Sequence, residues 1–209
     1  MKNKKILVLA PHTDDGELGC GGSISRFLDE GAIVYYAAFS TAQESVPDGF
    51  DKDILKTEVR KATSVLGIPA AQLRVYNFQV RKLNYVRQEI LEELIKLRSE
   101  ISPDFIWMPS LNDIHQDHKT IAEEGLRAFK NANIWCYELI WNNLNFNTQC
   151  FVKLDETHIA RKVNALKEYT SQAHRDYMQE EFIRSLARTR GVQAGCRYAE
   201  AFEVIREIH

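Results

Sequence analysis

A chain of 209 residues with 44% hydrophobic content carries enough apolar material for one sizeable core, so a single domain spanning residues 1–209 is expected. Its 27 basic and 29 acidic residues leave a formal charge of −2, which excludes a surface devoted to a polyanion such as nucleic acid. No stretch approaches the ~20 apolar residues of a membrane helix, and the run from Ile6 to Ala10 is too short for a secretion signal, so a cytoplasmic protein without a membrane span is expected.

The first apolar run, Lys5 to Ala10, reads as a strand and is followed at once by His12-Thr13-Asp14-Asp15 and a glycine-rich helix entrance. Ile24, Phe27 and Leu28 then mark a helical face, and Gly31 stands where a helix would end. A second strand is expected over Ile33 to Phe39, and a second helix shows its face in Val59, Ala62, Val65 and Leu66 before Gly67. Leu73 to Phe78 reads as the third strand, and Val86, Ile90, Leu94 and Leu97 as the face of the third helix. Phe105 to Met108 is the fourth strand, followed by His115-Gln116-Asp117-His118, and Ile134 to Ile140 is the fifth. Beyond it the pattern predicts a short strand near Phe151, helices around Ile159–Tyr169 and Met178–Arg188, and a terminal strand over Ala201–Ile205.

Alternating short strands and amphipathic helices define an α/β class: a Rossmann-like, doubly wound, mostly parallel sheet with helices on both faces. In the order 3-2-1-4-5, the winding reverses between strands one and four, and ligands collect outside the carboxyl ends of strands at such a reversal. His12 follows strand one and His115 follows strand four, so topology brings the two polar clusters together.

Neutral imidazole and carboxylate suit zinc and similar divalent ions, and a hydrolytic zinc site uses three protein ligands with a position left for water. His12, Asp15 and His118 would supply that set, and of the adjacent Asp14 and Asp15 one can ligate while its neighbour handles protons. His115 stands one helical turn from His118, and Asp117 has the chemistry to orient a neighbouring ring. Taken alone, each cluster also has plainer readings: an aspartate at a helix start is often a cap, and a histidine at a strand end a satisfied polar residue.

Other markers fail. Gly19, Gly21 and Gly22 would need a glycine at position 24 to complete a dinucleotide fingerprint, and that residue is Ile24, so close packing explains them better. No G-x-S-x-G elbow or phosphate loop occurs. Cys20, Cys136, Cys150 and Cys196 are scattered, without a C-x-x-C pair, and read as reduced thiols, with Cys20 a packing residue rather than a ligand.

The two motifs, with Lys162–Gln172 and Tyr198–Arg206, resemble the LmbE-like, PIG-L-type N-deacetylases along the whole chain. That resemblance implies a zinc-dependent hydrolase that removes acetyl from an N-acetylglucosamine unit of a sugar or glycoconjugate. It implies zinc, or another divalent ion such as Fe2+, held by His12, Asp15 and His118. It makes Asp14 the general base, His115 the imidazole that stabilises the tetrahedral intermediate, and Asp117 the carboxylate that supports His115. A homo-oligomer is compatible with the family.

Two positions depart from the family pattern. Thr13 replaces a proline, which should loosen the loop slightly. Leu55 stands where a substrate-binding arginine is usual, with Lys52, Lys56 and Arg60 as substitutes. The loop from Trp141 to Asn147 and Arg81 are further candidates for substrate contact. The alternatives are a metal-containing module that binds a sugar or nucleotide without turnover, and a metal-dependent hydrolase of another bond such as a phosphoester.

Overall fold

The computed structural model describes residues 1–208. Strands β1 (Lys5–His12), β2 (Ile33–Ser40), β3 (Leu73–Val75), β4 (Phe105–Pro109), β5 (Asn133–Tyr137), β6 (Cys150–Leu154) and β7 (Tyr198–Arg206) form one sheet in the order β3-β2-β1-β4-β5-β7-β6. The first five run parallel, and β7 and β6 add antiparallel to β5. The 3-2-1-4-5 order expected from the apolar runs is therefore the one observed.

The crossovers are α1 (Asp15–Asp29), α2 (Ile54–Leu66), α3 (Arg87–Ile101) and α4 (Gln116–Ala128), and α5 (Glu156–Lys167) and α6 (Glu180–Gln193) follow β6. Side chains of a strand alternate between faces, and both faces of β1 are covered. Ile6, Val8 and Ala10 pack with the apolar stripes of α1, α2, α5 and α6, whereas Leu7 and Leu9 pack with α3 and α4. Gly31 and Gly67 end α1 and α2 at φ +85° and +98°, the left-handed conformation that made them legible as stops.

Two strands are shorter than the apolar pattern suggests. Ladder pairing of β3 ends at Val75, although the amides of Tyr76 and Phe78 still donate to the carbonyls of Ala38 (2.8 Å) and Phe39 (3.0 Å). Tyr76 and Phe78 instead spend their rings stacking on Phe39. β5 ends at Tyr137 because the side chain of Asn143 takes the Leu139 amide at 2.7 Å and turns the chain before Ile140.

The glycine-rich start of α1 is a matter of proximity. A Cβ on Gly19 would lie 2.2 Å from the ring of Tyr137, and one on Gly22 would lie 2.5 Å from Leu154, so the helix sits closer to the sheet than an alanine permits. Cys20 is fully buried there and its thiol donates to the Gly16 carbonyl at 3.2 Å, as a packing residue does. No helix of the described residues is long and apolar enough to cross a membrane.

Candidate metal centre

β1 and β4 leave the sheet side by side and send their following residues to opposite sides, which opens a crevice above their carboxyl ends. His12 closes β1, and Asp15 is the first residue of α1. The Asp15 carboxylate turns back and accepts the His12 amide at 2.8 Å, which locks the intervening Thr13-Asp14 turn. His115 caps α4, and His118 lies in the first turn of that helix.

Three donor atoms converge there. His12 Nδ1 lies 3.2 Å from Asp15 Oδ2, His118 Nε2 lies 3.2 Å from the same oxygen, and the two nitrogens are 3.2 Å apart. An ion holding N and O donors tetrahedrally at ~2.0–2.1 Å keeps them roughly 3.3–3.4 Å from one another, so this spacing suits a zinc-sized cation. One ring nitrogen of His115 completes a group of three imidazoles whose ligand atoms lie within 4.8 Å.

Each of the two converging imidazoles is oriented from behind by a carboxylate, the arrangement that fixes the tautomer of a metal-binding histidine. Asp117 Oδ2 lies 3.0 Å from His12 Nε2, and Asp113 Oδ2 lies 2.8 Å from His118 Nδ1. This corrects one expectation: the Asp117 carboxylate serves His12, not His115. The first turn of α4 points it back toward β1, where it also accepts the amides of Arg81 (2.5 Å) and Leu83 (3.2 Å). His115 meets Asp117 through the backbone instead, its Nδ1 accepting the Asp117 amide at 3.1 Å. With Nδ1 used as an acceptor, the ring is neutral and carries its proton on Nε2.

The electrostatics ask for positive charge between the converging donors. Burial opposes the charged form of His12, yet Asp15 and Asp117 outweigh it and raise its pKa to about 9. His118 is likewise opposed by burial and carried up to about 10 by Asp15 and Asp113. Asp15 is held well below the carboxylate range, the two imidazoles overcoming its burial. A divalent cation satisfies the same demand. Asp14 differs: burial and the neighbouring Asp15 raise it to about 6, against the pull of His12 and Arg175, and its side chain makes no cap bond. His115 is lowered to about 4 by burial and by the two other imidazoles.

Beneath the turn lies a buried carboxyl the motif reading passed over. Tyr36 and Tyr169 each bring a hydroxyl to the Thr13 carbonyl, at 2.9 and 2.6 Å, and each also meets Glu17, Tyr169 at 3.0 Å. Two hydroxyl protons cannot serve four such contacts, and a protonated Glu17 supplies a third. Burial agrees, raising Glu17 to about 8 against the tyrosine hydrogen bonds. Thr13 is therefore tethered rather than loosened by the loss of proline.

A cavity of about 300 Å³ opens above the donors. His12, Asp14, Asp15, His115 and His118 line it together with Leu55, Arg81, Trp141, Asn142, Gln172, Arg175 and Tyr177. Lys52, Lys56 and Arg60 are exposed and do not line it, so none takes the place of the missing arginine. Trp141, Asn142 and Arg81 do, as anticipated. Arg175 and Tyr177 arrive from the turns after α5, with Tyr177 stacked on Trp141 at 4.3 Å between ring centroids. Nothing in the periodicity flagged Asp113, Gln172, Arg175 or Tyr177. Asp113 also accepts the His115 amide at 2.8 Å, and in sequence it reads as an ordinary turn aspartate.

Comparison with known proteins agrees with this geometry. Residues 7–129, more than half of the chain, match the family described as PIG-L, GlcNAc-PI de-N-acetylase, and the chain belongs to that family. It is similar to the uncharacterized deacetylase YaiS of Escherichia coli K12, with 27% identity over 176 residues covering 81% of this chain and 92% of that one. The diacetylchitobiose deacetylase of Thermococcus kodakarensis is 23% identical over 226 residues, covering 97% of this chain and 83% of the relative. Among solved structures, the N,N'-diacetylchitobiose deacetylase of Pyrococcus horikoshii, complexed with its inhibitor MPG, superimposes with a TM-score of 0.81 at 22% identity, over 97% of this chain and 84% of its own.

Proposed function

We propose that the chain is a metal-dependent de-N-acetylase that releases acetate from an N-acetylglucosamine-type sugar or glycoconjugate. The observation that carries this reading is the mutual 3.2 Å spacing of His12 Nδ1, Asp15 Oδ2 and His118 Nε2 beside an uncommitted carboxylate, Asp14. Those three residues would hold the ion, zinc for preference and Fe2+ as the alternative.

A divalent cation in that position supplies Lewis acidity and makes water acidic enough to ionise near neutral pH. The chain's own groups do the rest. Asp14 takes the proton of the attacking water, its basicity raised by burial and by the neighbouring Asp15. His115 donates its Nε2–H to the oxygen of the acetyl carbonyl as negative charge develops there, acting as a neutral donor. Asp14 then returns the proton to the departing amine. Asp117 acts through His12 and Asp113 through His118, both as positioning residues.

The relatives named as diacetylchitobiose deacetylases support a substrate bearing N-acetylglucosamine. A module that only binds sugar has no use for an uncapped Asp14 at the cavity wall. The test is release of free amine and acetate from N-acetylglucosamine, diacetylchitobiose and N-acetylglucosaminides by zinc-loaded protein. Release that depends on metal and on Asp14 is the expected result, and no release from any of them would defeat the proposal.

A further inference from the structure

Aspartate at the entrance of a helix ordinarily commits its side chain to capping, accepting the backbone N–H two or three residues on. Asp155 does so at α5, where its Oδ1 accepts the amides of Thr157 (2.9 Å) and His158 (3.1 Å) from an extended backbone of φ −100°, ψ −178°. Asp14 holds the same position at α1 and caps nothing, with its backbone at φ −99°, ψ −12°. One residue type at one helix position is thus committed at α5 and free at α1.

A tyrosine distinguishes the two entrances. The Gly16 amide, which stands where Asp14 would find its partner, donates instead to the Tyr36 hydroxyl at 3.1 Å. Tyr36 stands on β2 opposite Val8 and is fully buried. Its hydroxyl also reaches the Thr13 carbonyl at 2.9 Å, where Tyr169 adds a second bond at 2.6 Å. Those two bonds hold the peptide plane that precedes Asp14. The missing side chain of Gly16 permits the approach, since a Cβ there would lie 2.5 Å from the Tyr36 ring. With the buried amide already satisfied, the Asp14 carboxylate gains nothing by turning inward.

We propose that Tyr36 is a positioning residue for Asp14: its hydroxyl caps α1 in place of the aspartate and leaves the carboxylate free at the cavity wall to handle the proton. This deepens the deacetylase reading above, and its kinetic half rests on that reading.

The experiment combines Tyr36→Phe and Asp14→Ala, singly and together, in zinc-loaded protein and reads the denaturant midpoint of each. With Tyr36 present, Asp14→Ala should leave the midpoint undiminished, because the carboxylate caps nothing. In Tyr36→Phe the bared Gly16 amide should recruit Asp14, so that Asp14→Ala now lowers the midpoint. In turnover, Tyr36→Phe should lower kcat about fivefold, the hold of a typical cap bond on the carboxylate, with KM and bound zinc unchanged. The same change should cost nothing further in Asp14→Asn, whereas a tyrosine that merely stabilises the fold would cost as much in both. A midpoint lowered by Asp14→Ala with Tyr36 in place overturns the proposal, and that measurement decides even where Tyr36→Phe does not fold. Asp14→Ala equally harmless in both backgrounds also overturns it, as does an unchanged kcat in Tyr36→Phe. Amine release with additive midpoints defeats the role of Tyr36 and leaves the deacetylase standing. Coupled midpoints with no amine released do the reverse.

Discussion

Asp14 and Asp15 are neighbours of the same chemical type placed in opposite electrostatic surroundings. Asp15 faces two imidazoles and stays ionised, whereas Asp14 faces Asp15 and is raised to about 6. Asp14→Asn should therefore retain bound zinc, measured by metal analysis, while lowering kcat by roughly 10²–10⁴, the usual worth of a general base. Because the working form of Asp14 is the deprotonated one, kcat/KM of the zinc-loaded enzyme should fall on the acid side, and that limb should be missing from whatever activity Asp14→Asn retains. An acid limb unchanged in Asp14→Asn would remove Asp14 from the role. The motif spacing made His12, Asp15 and His118 legible, because consecutive residues leaving a strand can be placed without knowing the rest of the fold. Asp113, Arg175 and Tyr177 were not legible: their partners are set by how distant turns pack, and no local period records that.

At the level of elements, α1 is held against β5 by the absence of a single methyl group. Gly19→Ala forces its Cβ into the Tyr137 ring, whose hydroxyl is already committed to the Leu9 carbonyl at 2.9 Å and gives little ground. The expected cost is about 1–3 kcal/mol of stability, read as a lower midpoint in a denaturant titration, with an unchanged midpoint contradicting the close approach. The apolar runs gave away the strand order and the crossover helices, since each had to cover one face of a parallel sheet. Strand ends were less visible because the signals that stop β3 and β5 are aromatic stacking on Phe39 and one asparagine side chain.

For the molecule as a whole, the ion of the proposed deacetylase would compete with protons for one position. In chelated protein, His12 and His118 have folded pKa values of about 9 and 10, above the ordinary 6.5 of an unfolded histidine. The stability these groups contribute is then complete below pH 6.5 and is lost as pH rises through 9 to 10. Thermal melts of chelated protein should fall across that window, while zinc-loaded protein should resist the decline. Zinc affinity should run the other way, weakening as pH falls, because the ligands must shed their protons to bind. Parallel melting curves with and without zinc at every pH would contradict a metal held by these residues. The same chelation should abolish amine release, and added zinc should restore it.

The two halves of the ion pocket lie far apart along the backbone: His12 and His118 are separated by 106 positions. Strand β1 occupies the middle of the finished sheet but waits for β4 and the turn beyond it before its histidine gains a counterpart. In the deacetylase proposed above, binding of the ion would thus report on assembly. A polypeptide ending ahead of α4 keeps His12 and Asp15 but lacks His118, so the complete proposed ligand set would form only once β1 and β4 are side by side.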